Sequence, residues 1–271
     1  MTARSGMTAA LALAVALLAT AAAPVEAGDV RAGLAAYERG DFTQARRIWR
    51  PLAEAGDAQA QYNLGVLFDE GRGRPADRVQ ARLWWLKAAE QGLALAQHNL
   101  ASLHIAGDGV PQDFAKALHW LKRASDSGLA RSQYTLGKMF EFGLGVEADP
   151  EKTATLFAAA AAQGLDKAQY NMGKLYRDGR GVARDDTASA RWFARAARQG
   201  YAKAQSHLGA RYARGQGVPA SPAQAYFWTA LAARSGHQQA AAALPDRAAG
   251  LTAAQRHALD AHAARWRPEE E

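Results

Sequence analysis

A unit of 36 residues recurs five times in this chain, and no other feature of the sequence constrains the fold as strongly. Its clearest marker is a Gly-x-Gly triplet, whose first glycine falls at Gly71, Gly107, Gly143, Gly179 and Gly215. Two further ladders keep the same step: a glutamine at Gln61, Gln97, Gln133, Gln169 and Gln205, and a glycine at Gly92, Gly128, Gly164, Gly200 and Gly236. A fixed period in this range predicts a stacked array in which each unit buries its apolar face against its neighbours. Such arrays usually present surfaces, so the repeat favours binding over catalysis.

Each unit has the pattern of a helical hairpin. Leu64 and Phe68 share one face of a first helix, which is expected to end near Gly71 because glycine tolerates the positive φ of a turn. A second helix then follows a good N-cap residue, which is Asp77, Asp113, Asp149, Asp185 or Ser221. The second helix carries a ladder of large residues that is expected to fill the space between the helices: Trp84, Trp120, Leu156, Trp192 and Trp228.

The sequence therefore predicts an all-α fold, a right-handed α-solenoid of helix-turn-helix repeats. Its five full units are expected at 57–92, 93–128, 129–164, 165–200 and 201–236. A shortened hairpin over residues 28–56 should cap the N-terminal end.

The C-terminal end should be capped by two helices within residues 237–267. The first starts at His237 and is expected to break at Pro245. The second opens with the capping-box pair Thr252 and Gln255 and should cover the last apolar face. The tail, 268–271, is expected to be disordered.

Residues 1–27 have the composition of a signal peptide. Arg4 supplies a positive charge, and the apolar run from Thr8 to Ala23 is short for a membrane span. Val25-Glu26-Ala27 places small residues where a signal peptidase cleaves, which predicts cleavage between Ala27 and Gly28. We therefore expect export, with a periplasmic location and no transmembrane segment in the mature protein. An uncleaved N-terminal anchor is the alternative.

The residue inventory offers little for catalysis. The chain has no cysteine, so disulfides and thiolate metal sites are impossible. The histidines form no metal-binding spacing, and His98 and His104 stand where other units carry aromatic residues. The Gly-x-Gly triplets recur at every hairpin with no preceding strand, so they are turns and not nucleotide sites. The sequence predicts no catalytic residue, cofactor or metal, and the net charge of +7 is spread too widely to indicate nucleic acid.

These motifs resemble the Sel-1-like repeat, a 36-residue relative of the tetratricopeptide repeat. The resemblance covers residues 29–236 and is carried by Ala-Gln-Tyr-Asn-Leu-Gly at 60–65, Gly-Arg-Gly-Val at 179–182 and Ala-Arg-Trp-Phe at 190–193. It implies a scaffold or adaptor for protein complexes, and exported bacterial members resemble regulators of envelope signalling, polysaccharide production and host contact. A cysteine-rich branch is linked to β-lactams, but this chain lacks its cysteines.

A partner is expected on the concave face, which the first helices line. Positions equivalent to 63, 66 and 70 share one side of each first helix and vary between units. The predicted binding residues are Asn99, Thr135, Lys138, Phe142, Asn171, Lys174, Asp178, His207 and Arg214.

The function that follows is an exported adaptor that binds an unidentified protein partner and is not an enzyme. An envelope enzyme or ligand-binding protein acting on peptidoglycan, polysaccharide or β-lactams is the alternative.

Overall fold

The computed structural model describes residues 27–269 and shows an all-α array in that part of the chain. Its fourteen helices are α1 Ala27–Glu38, α2 Phe42–Glu54, α3 Ala58–Glu70, α4 Arg78–Glu90, α5 Ala94–Ala106, α6 Phe114–Asp126, α7 Ala130–Phe142, α8 Pro150–Ala162, α9 Asp166–Asp178, α10 Asp186–Arg198, α11 Ala202–Arg214, α12 Pro222–Arg234, α13 Gln238–Ala248 and α14 Ala253–Arg265. Helices α1–α13 pack mainly against their neighbours in the chain, whereas α14 packs against α12. This arrangement confirms the predicted solenoid of helical hairpins. Residues 1–26 of the predicted signal peptide lie outside the described residues, and the predicted cleavage site between Ala27 and Gly28 falls at the start of α1.

The two glycines of each Gly-x-Gly triplet have different structural roles. Gly215 ends α11 in the left-handed conformation, with φ +66°. Gly217 also has a positive φ, and a Cβ on it would overlap the carbonyl of Asp186 in the preceding unit. The second glycine therefore permits close backbone approach between successive units.

The predicted N-caps of the second helices are confirmed. The side chains of Asp77, Asp113, Asp149, Asp185 and Ser221 all accept a hydrogen bond from a backbone N–H in the first turn. Among helices α2–α14, only α14 begins with a complete capping box, formed by Thr252 and Gln255. At Ser221, the Gln224 side chain instead accepts from the indole of Trp228 at 3.1 Å.

The core of each of the first four units combines a small residue in the first helix with a large one in the second, and in the fifth unit Gly209 faces Thr229. A Cβ on Gly173 would lie 2.7 Å from the ring of Phe193, so the two helices fit only because that position lacks a side chain. In the second unit Ala101 replaces the glycine, and the smaller Leu121 replaces the aromatic residue. The buried ladder is Trp85, Leu121, Phe157, Phe193 and Thr229.

In the first four units, the ladder that begins at Trp84 is therefore not the main filling between the helices, whereas its fifth member, Trp228, is buried as predicted. Trp84, Trp120 and Trp192 are only half-buried, and each lies beneath a cation three residues later. The Lys87 ammonium, for example, is 4.2 Å from the ring centroid of Trp84. This correction follows from the helical turn of about 100° per residue, which moves the next position, Trp85, into the core.

The glutamine ladder bonds one unit to the next. Gln61 Nε2 donates to the carbonyl of Ala53 near the end of α2, at 3.0 Å, and satisfies a helix-terminal acceptor. Gln91, the C-cap of α4, donates in turn to Gln61 Oε1 at 2.8 Å. Corresponding glutamine-to-carbonyl bonds join Gln97 to Ala89, Gln169 to Ala161 and Gln205 to Ala197.

Two units lack the second glutamine of this network. Where Gln91 stands in the first unit, the second and fifth units have Ser127 and Ser235. Consistent with that difference, the buried Oε1 atoms of Gln97 and Gln205 have no hydrogen-bond partner in the described part of the chain.

The C-terminal cap differs from the prediction at Pro245. Helix α13 does not break there but continues to Ala248. Proline removes only the hydrogen bond to Ala241, which is exposed, so its carbonyl remains open to water. The predicted covering role of α14 is confirmed, because Leu259 and Trp266 pack against the last apolar cluster.

The predicted disorder of the tail does not hold for Pro268 and Glu269. The Glu269 N–H donates to the carbonyl of Arg198 at 2.9 Å, and this carbonyl is a free acceptor at the end of α10. Pro268 lies against Gly200. Residues 270–271 lie outside the described residues.

Replacing Ser127 with glutamine should stabilise the array. The new amide would donate to Gln97 Oε1, as Gln91 donates to Gln61. Satisfying a buried acceptor stabilises by ~1 kcal/mol, so Ser127→Gln should raise the thermal unfolding midpoint by about 2–4 °C. Circular dichroism melting would measure the change, with Ser127→Ala as the matched control. A midpoint no higher than that of Ser127→Ala would contradict the assignment.

Candidate functional site

The first-helix face consists of the positions equivalent to 63, 66 and 70 in α3, α5, α7, α9 and α11. The third position is the last residue of each helix and is exposed in every unit. Its side chains differ in chemistry along the array: Glu70, Ala106, Phe142, Asp178 and Arg214. A repeated backbone therefore presents a different side chain at each step.

The first position of the face is more enclosed. Asn171 is 6% exposed, and its Nδ2 donates to the Tyr134 hydroxyl at 3.2 Å and to the Lys167 carbonyl at 2.8 Å. His207 is half-buried, with Nε2 3.4 Å from the Tyr170 hydroxyl of the preceding unit. Asn171, predicted as a binding residue, is thus a buried contact between units, whereas His207 joins two units and remains partly accessible.

The other two binding residues predicted at this first position, Thr135 and Asn99, are partly accessible. Thr135 is half-buried, and its hydroxyl donates to the Arg131 carbonyl at 2.8 Å. Asn99 is half-buried and lines a shallow depression of about 290 Å³ with Arg78 and Asp108.

Phe142 is the exposed aromatic residue of the face, with 62% of its surface accessible. The Lys138 ammonium lies 4.3 Å from its ring centroid and also pairs with Glu141 at 2.5 Å. The Glu141 side chain is only 6% exposed, and Arg180 of the next unit approaches it at 3.9 Å. The cation therefore holds the aromatic ring in a defined position.

Lys174 and Asp178 lie on α9. The Lys174 ammonium is 6.0 Å from the ring centroid of Tyr170. The Asp178 carboxylate accepts two hydrogen bonds from the Arg177 guanidinium, at 2.7 and 2.8 Å. Those bonds lower the pKa of the Asp178 carboxyl, so it stays ionised.

A pocket of about 460 Å³ opens beside His207 and Arg214 at the C-terminal end of the face. It lies between α9, α11 and the start of α13, and its wall includes Tyr170 and His237. Burial, followed by the charges of Arg177 and other nearby cations, lowers the pKa of His207 to about 4. The imidazole is therefore neutral near pH 7.

Arg211 in this pocket is a residue that the sequence reasoning missed. It is 4% exposed, and its Nη1 donates to Asp186 Oδ1 at 3.2 Å and to the Gln216 carbonyl at 3.1 Å. The sequence does mark this position as unusual, because the equivalent residues in the four preceding units are all apolar: Leu67, Leu103, Met139 and Leu175. A single charge in an apolar ladder marks a position whose role differs from packing.

The part of the chain that the structure describes offers few other candidate sites. Within residues 27–269, no group of three or more His, Asp or Glu side chains is arranged to hold a metal ion. His98 and His104 are both half-buried, as expected of residues in aromatic positions. None of the helices α1–α14 is long and apolar enough to cross a membrane.

Comparison with known families matches the Sel1 repeat to five consecutive segments, 58–93, 94–129, 130–165, 166–201 and 202–237. The structure is similar to that of c5321, described as a protective antigen present in uropathogenic Escherichia coli strains, with 31% identity and a TM-score of 0.79. That similarity covers 88% of this chain but only 53% of c5321, so this chain spans about half the length of that relative. A Sel1 repeat protein from Oxalobacter formigenes is 27% identical, with a TM-score of 0.71 over 76% of this chain and 84% of its own. No functionally curated protein matches the sequence.

The low pKa of His207 makes stability depend on pH. Below pH ~6.5 the unfolded chain protonates this histidine, whereas the folded chain does not until about pH 4. The free energy of unfolding should therefore fall as pH drops through this window. His207→Asn, which introduces the residue found at positions 63, 99 and 171, should reduce that fall.

Urea unfolding at pH ~7.5 and pH ~5 would measure the effect. His257→Asn, at an exposed position of α14, is the control and should keep the wild-type pH dependence. An unchanged pH dependence in His207→Asn would contradict burial of the neutral imidazole.

Proposed function

Because the chain belongs to the Sel1 repeat family, we propose that it is an adaptor that binds another protein through its first-helix face. Proteins of this family generally mediate protein–protein interaction. The proposal adds the surface and the residues that contact the partner.

The array separates constant positions from variable ones, and this contrast supports the proposed binding face. The N-caps, the turn glycines and most of the glutamine bonds recur from unit to unit, while the exposed last residue of each first helix changes in charge, size and polarity. Interactions that fix the backbone are thus separate from those available to a partner. This separation supports a surface whose specificity is set by side chains on a rigid frame.

The proposed binding mechanism is the rigid presentation of these exposed side chains to the partner. Side chains such as Phe142 and Asp178 are already held by Lys138 and Arg177 before a partner arrives. Less side-chain entropy is then lost on docking, which favours affinity for a given contact area. The alternative function, an enzyme or ligand-binding protein for peptidoglycan, polysaccharide or β-lactams, has no observation in its favour within residues 27–269.

We also propose that the protein is exported to the periplasm, supported by the charged start and the apolar run of residues 1–27. Intact-mass measurement of the purified protein from the envelope fraction should give a chain that begins at Gly28. A chain that retains residues 1–27 would indicate the uncleaved anchor instead.

Phe142 should act as a binding anchor. In-cell crosslinking of the tagged full-length protein, followed by mass spectrometry, would first identify the partner. Phe142→Ala should then weaken binding to that partner by at least about 30-fold, since an aromatic anchor contributes ~2 kcal/mol or more. Titration calorimetry would measure the affinity.

Val79→Ala is the matched control, because Val79 is 55% exposed but lies on the second helix α4. Lys138→Glu is a less suitable probe, since it would leave the enclosed Glu141 facing another carboxylate. Equal affinities of wild type and Phe142→Ala would refute the assignment of this surface.

A further inference from the structure

Basic side chains line the pocket between α9, α11 and α13. Its lining contains four cationic side chains, Arg177, Lys203, Arg211 and Arg214. No Asp or Glu is among its lining residues, which lie between positions 170 and 239. A cleft lined by one sign of charge concentrates ligands of the opposite sign.

The four cations differ in their availability. Arg177 and Arg211 pair with Asp178 and Asp186, which neutralise part of their charge. Lys203 and Arg214 are exposed and form no ion pair within residues 27–269. The pocket therefore offers two separate positive side chains to a ligand.

Two helix ends add to this positive field. Lys203 belongs to the first turn of α11, and Gln239 belongs to the first turn of α13. The N-terminal end of a helix carries a partial positive charge that favours a nearby anion. The last turns of α9 and α11, which carry Arg177 and Arg211, also line the pocket, so the partial negative charge of these C-terminal ends offsets part of the effect and the side chains supply most of the positive charge.

Two of these charges, Arg211 and Arg214, are specific to the last repeat, whereas the position of Lys203 is also basic in two preceding units, at Arg131 and Lys167. The residues equivalent to Arg214 are Glu70, Ala106, Phe142 and Asp178, and those equivalent to Arg211 are apolar in all four preceding units. A charge pattern that merely maintained solubility would not require a buried arginine in one unit alone.

We propose that this pocket binds an acidic peptide segment of the partner protein, with carboxylates of the segment paired to Lys203 and Arg214. The inference rests on the proposed protein-binding function and specifies the chemistry of the partner. Gln216 and Gln239 line the same pocket and can donate to and accept from a peptide backbone. Ser206 offers a further hydroxyl.

A peptide fits these groups better than a phosphate does. Lys203 lies in the first turn of α11 and Arg214 is its last residue, so their backbones are roughly 16 Å apart along the helix axis. A single phosphate group is poorly placed to pair with both side chains, whereas two carboxylates spaced along an extended chain can each pair with one. A single lysine and a single exposed arginine, flanked by amides, match carboxylates on an extended chain.

The test uses a fluorescein-labelled deca-glutamate peptide and measures its anisotropy with the full-length protein at low ionic strength. Wild type should bind this peptide but not a deca-glutamine peptide of the same length. Lys203→Glu should weaken binding about tenfold or more, and Arg214→Gln should weaken it by a smaller factor. Glutamate is favourable in the first turn of a helix, so Lys203→Glu should fold normally.

Arg191→Glu is the matched control. Arg191 is exposed on α10 and forms no ion pair in the described part of the chain, and its replacement changes the net charge by the same amount as Lys203→Glu. It should alter the affinity by less than about twofold. Melting curves of all three variants would confirm that they are folded.

Three outcomes would overturn the proposal. One is no binding of deca-glutamate to wild type, and another is an equal loss of affinity in Arg191→Glu. The third is pocket-dependent binding of inorganic pyrophosphate or heparin without binding of deca-glutamate, which would assign the pocket to another class of anion.

The peptide measurement is independent of partner capture. If crosslinking identifies a protein but deca-glutamate does not bind, the adaptor function stands and the acidic-peptide inference fails. If deca-glutamate binds through Lys203 but no protein is captured, the pocket assignment stands and the adaptor function fails.

Discussion

The structure depends on contact between successive repeats, because a single hairpin cannot bury its own apolar faces. Two devices maintain that contact. Gly217 lets the turn of one unit approach the Asp186 carbonyl of the unit before it, and four members of the glutamine ladder bond the start of a first helix to the preceding second helix. Both devices act between backbone groups and a few constant side chains. The stability of the array is therefore set by positions that a partner does not need to touch.

This separation allows the exposed positions to diverge without loss of the fold. The last residue of the first helix changes from Glu70 at one end of the array to Arg214 at the other. Near its centre, Phe142 is exposed beneath the Lys138 cation. The two ends of the resulting surface carry opposite charges, with an aromatic contact between them, which favours one orientation of a bound partner.

The sequence predicts the architecture well because the repeat supplies several independent signals in one register. The turn glycines, the N-caps and the helix lengths all agree, and a tandem array leaves little freedom in topology. The face of the second helix is harder to predict, because Trp84 and Trp85 are adjacent and equally large while only Trp85 is enclosed. The path of the chain through Pro245 depends on the exposure of Ala241, which periodicity cannot indicate. The pocket at the C-terminal end escapes a position-by-position analysis because its residues come from three helices.

Arg211 connects the repeat contact to that pocket. Its Nη1 lies 3.3 Å from the Asp186 carbonyl oxygen, the same group that excludes a side chain at Gly217, and it also bonds the carbonyl of Gln216 in the turn. A leucine, as found in three of the four preceding units, would fill this position without the desolvation cost of a buried guanidinium. Packing alone therefore does not account for the arginine. The contacts of Arg211 give a better reason for its presence. It hydrogen-bonds the turn that carries Gln216, and it brings positive charge to the lining of the pocket. The contact that joins the last two repeats thus also shapes the surface at which we place an acidic ligand.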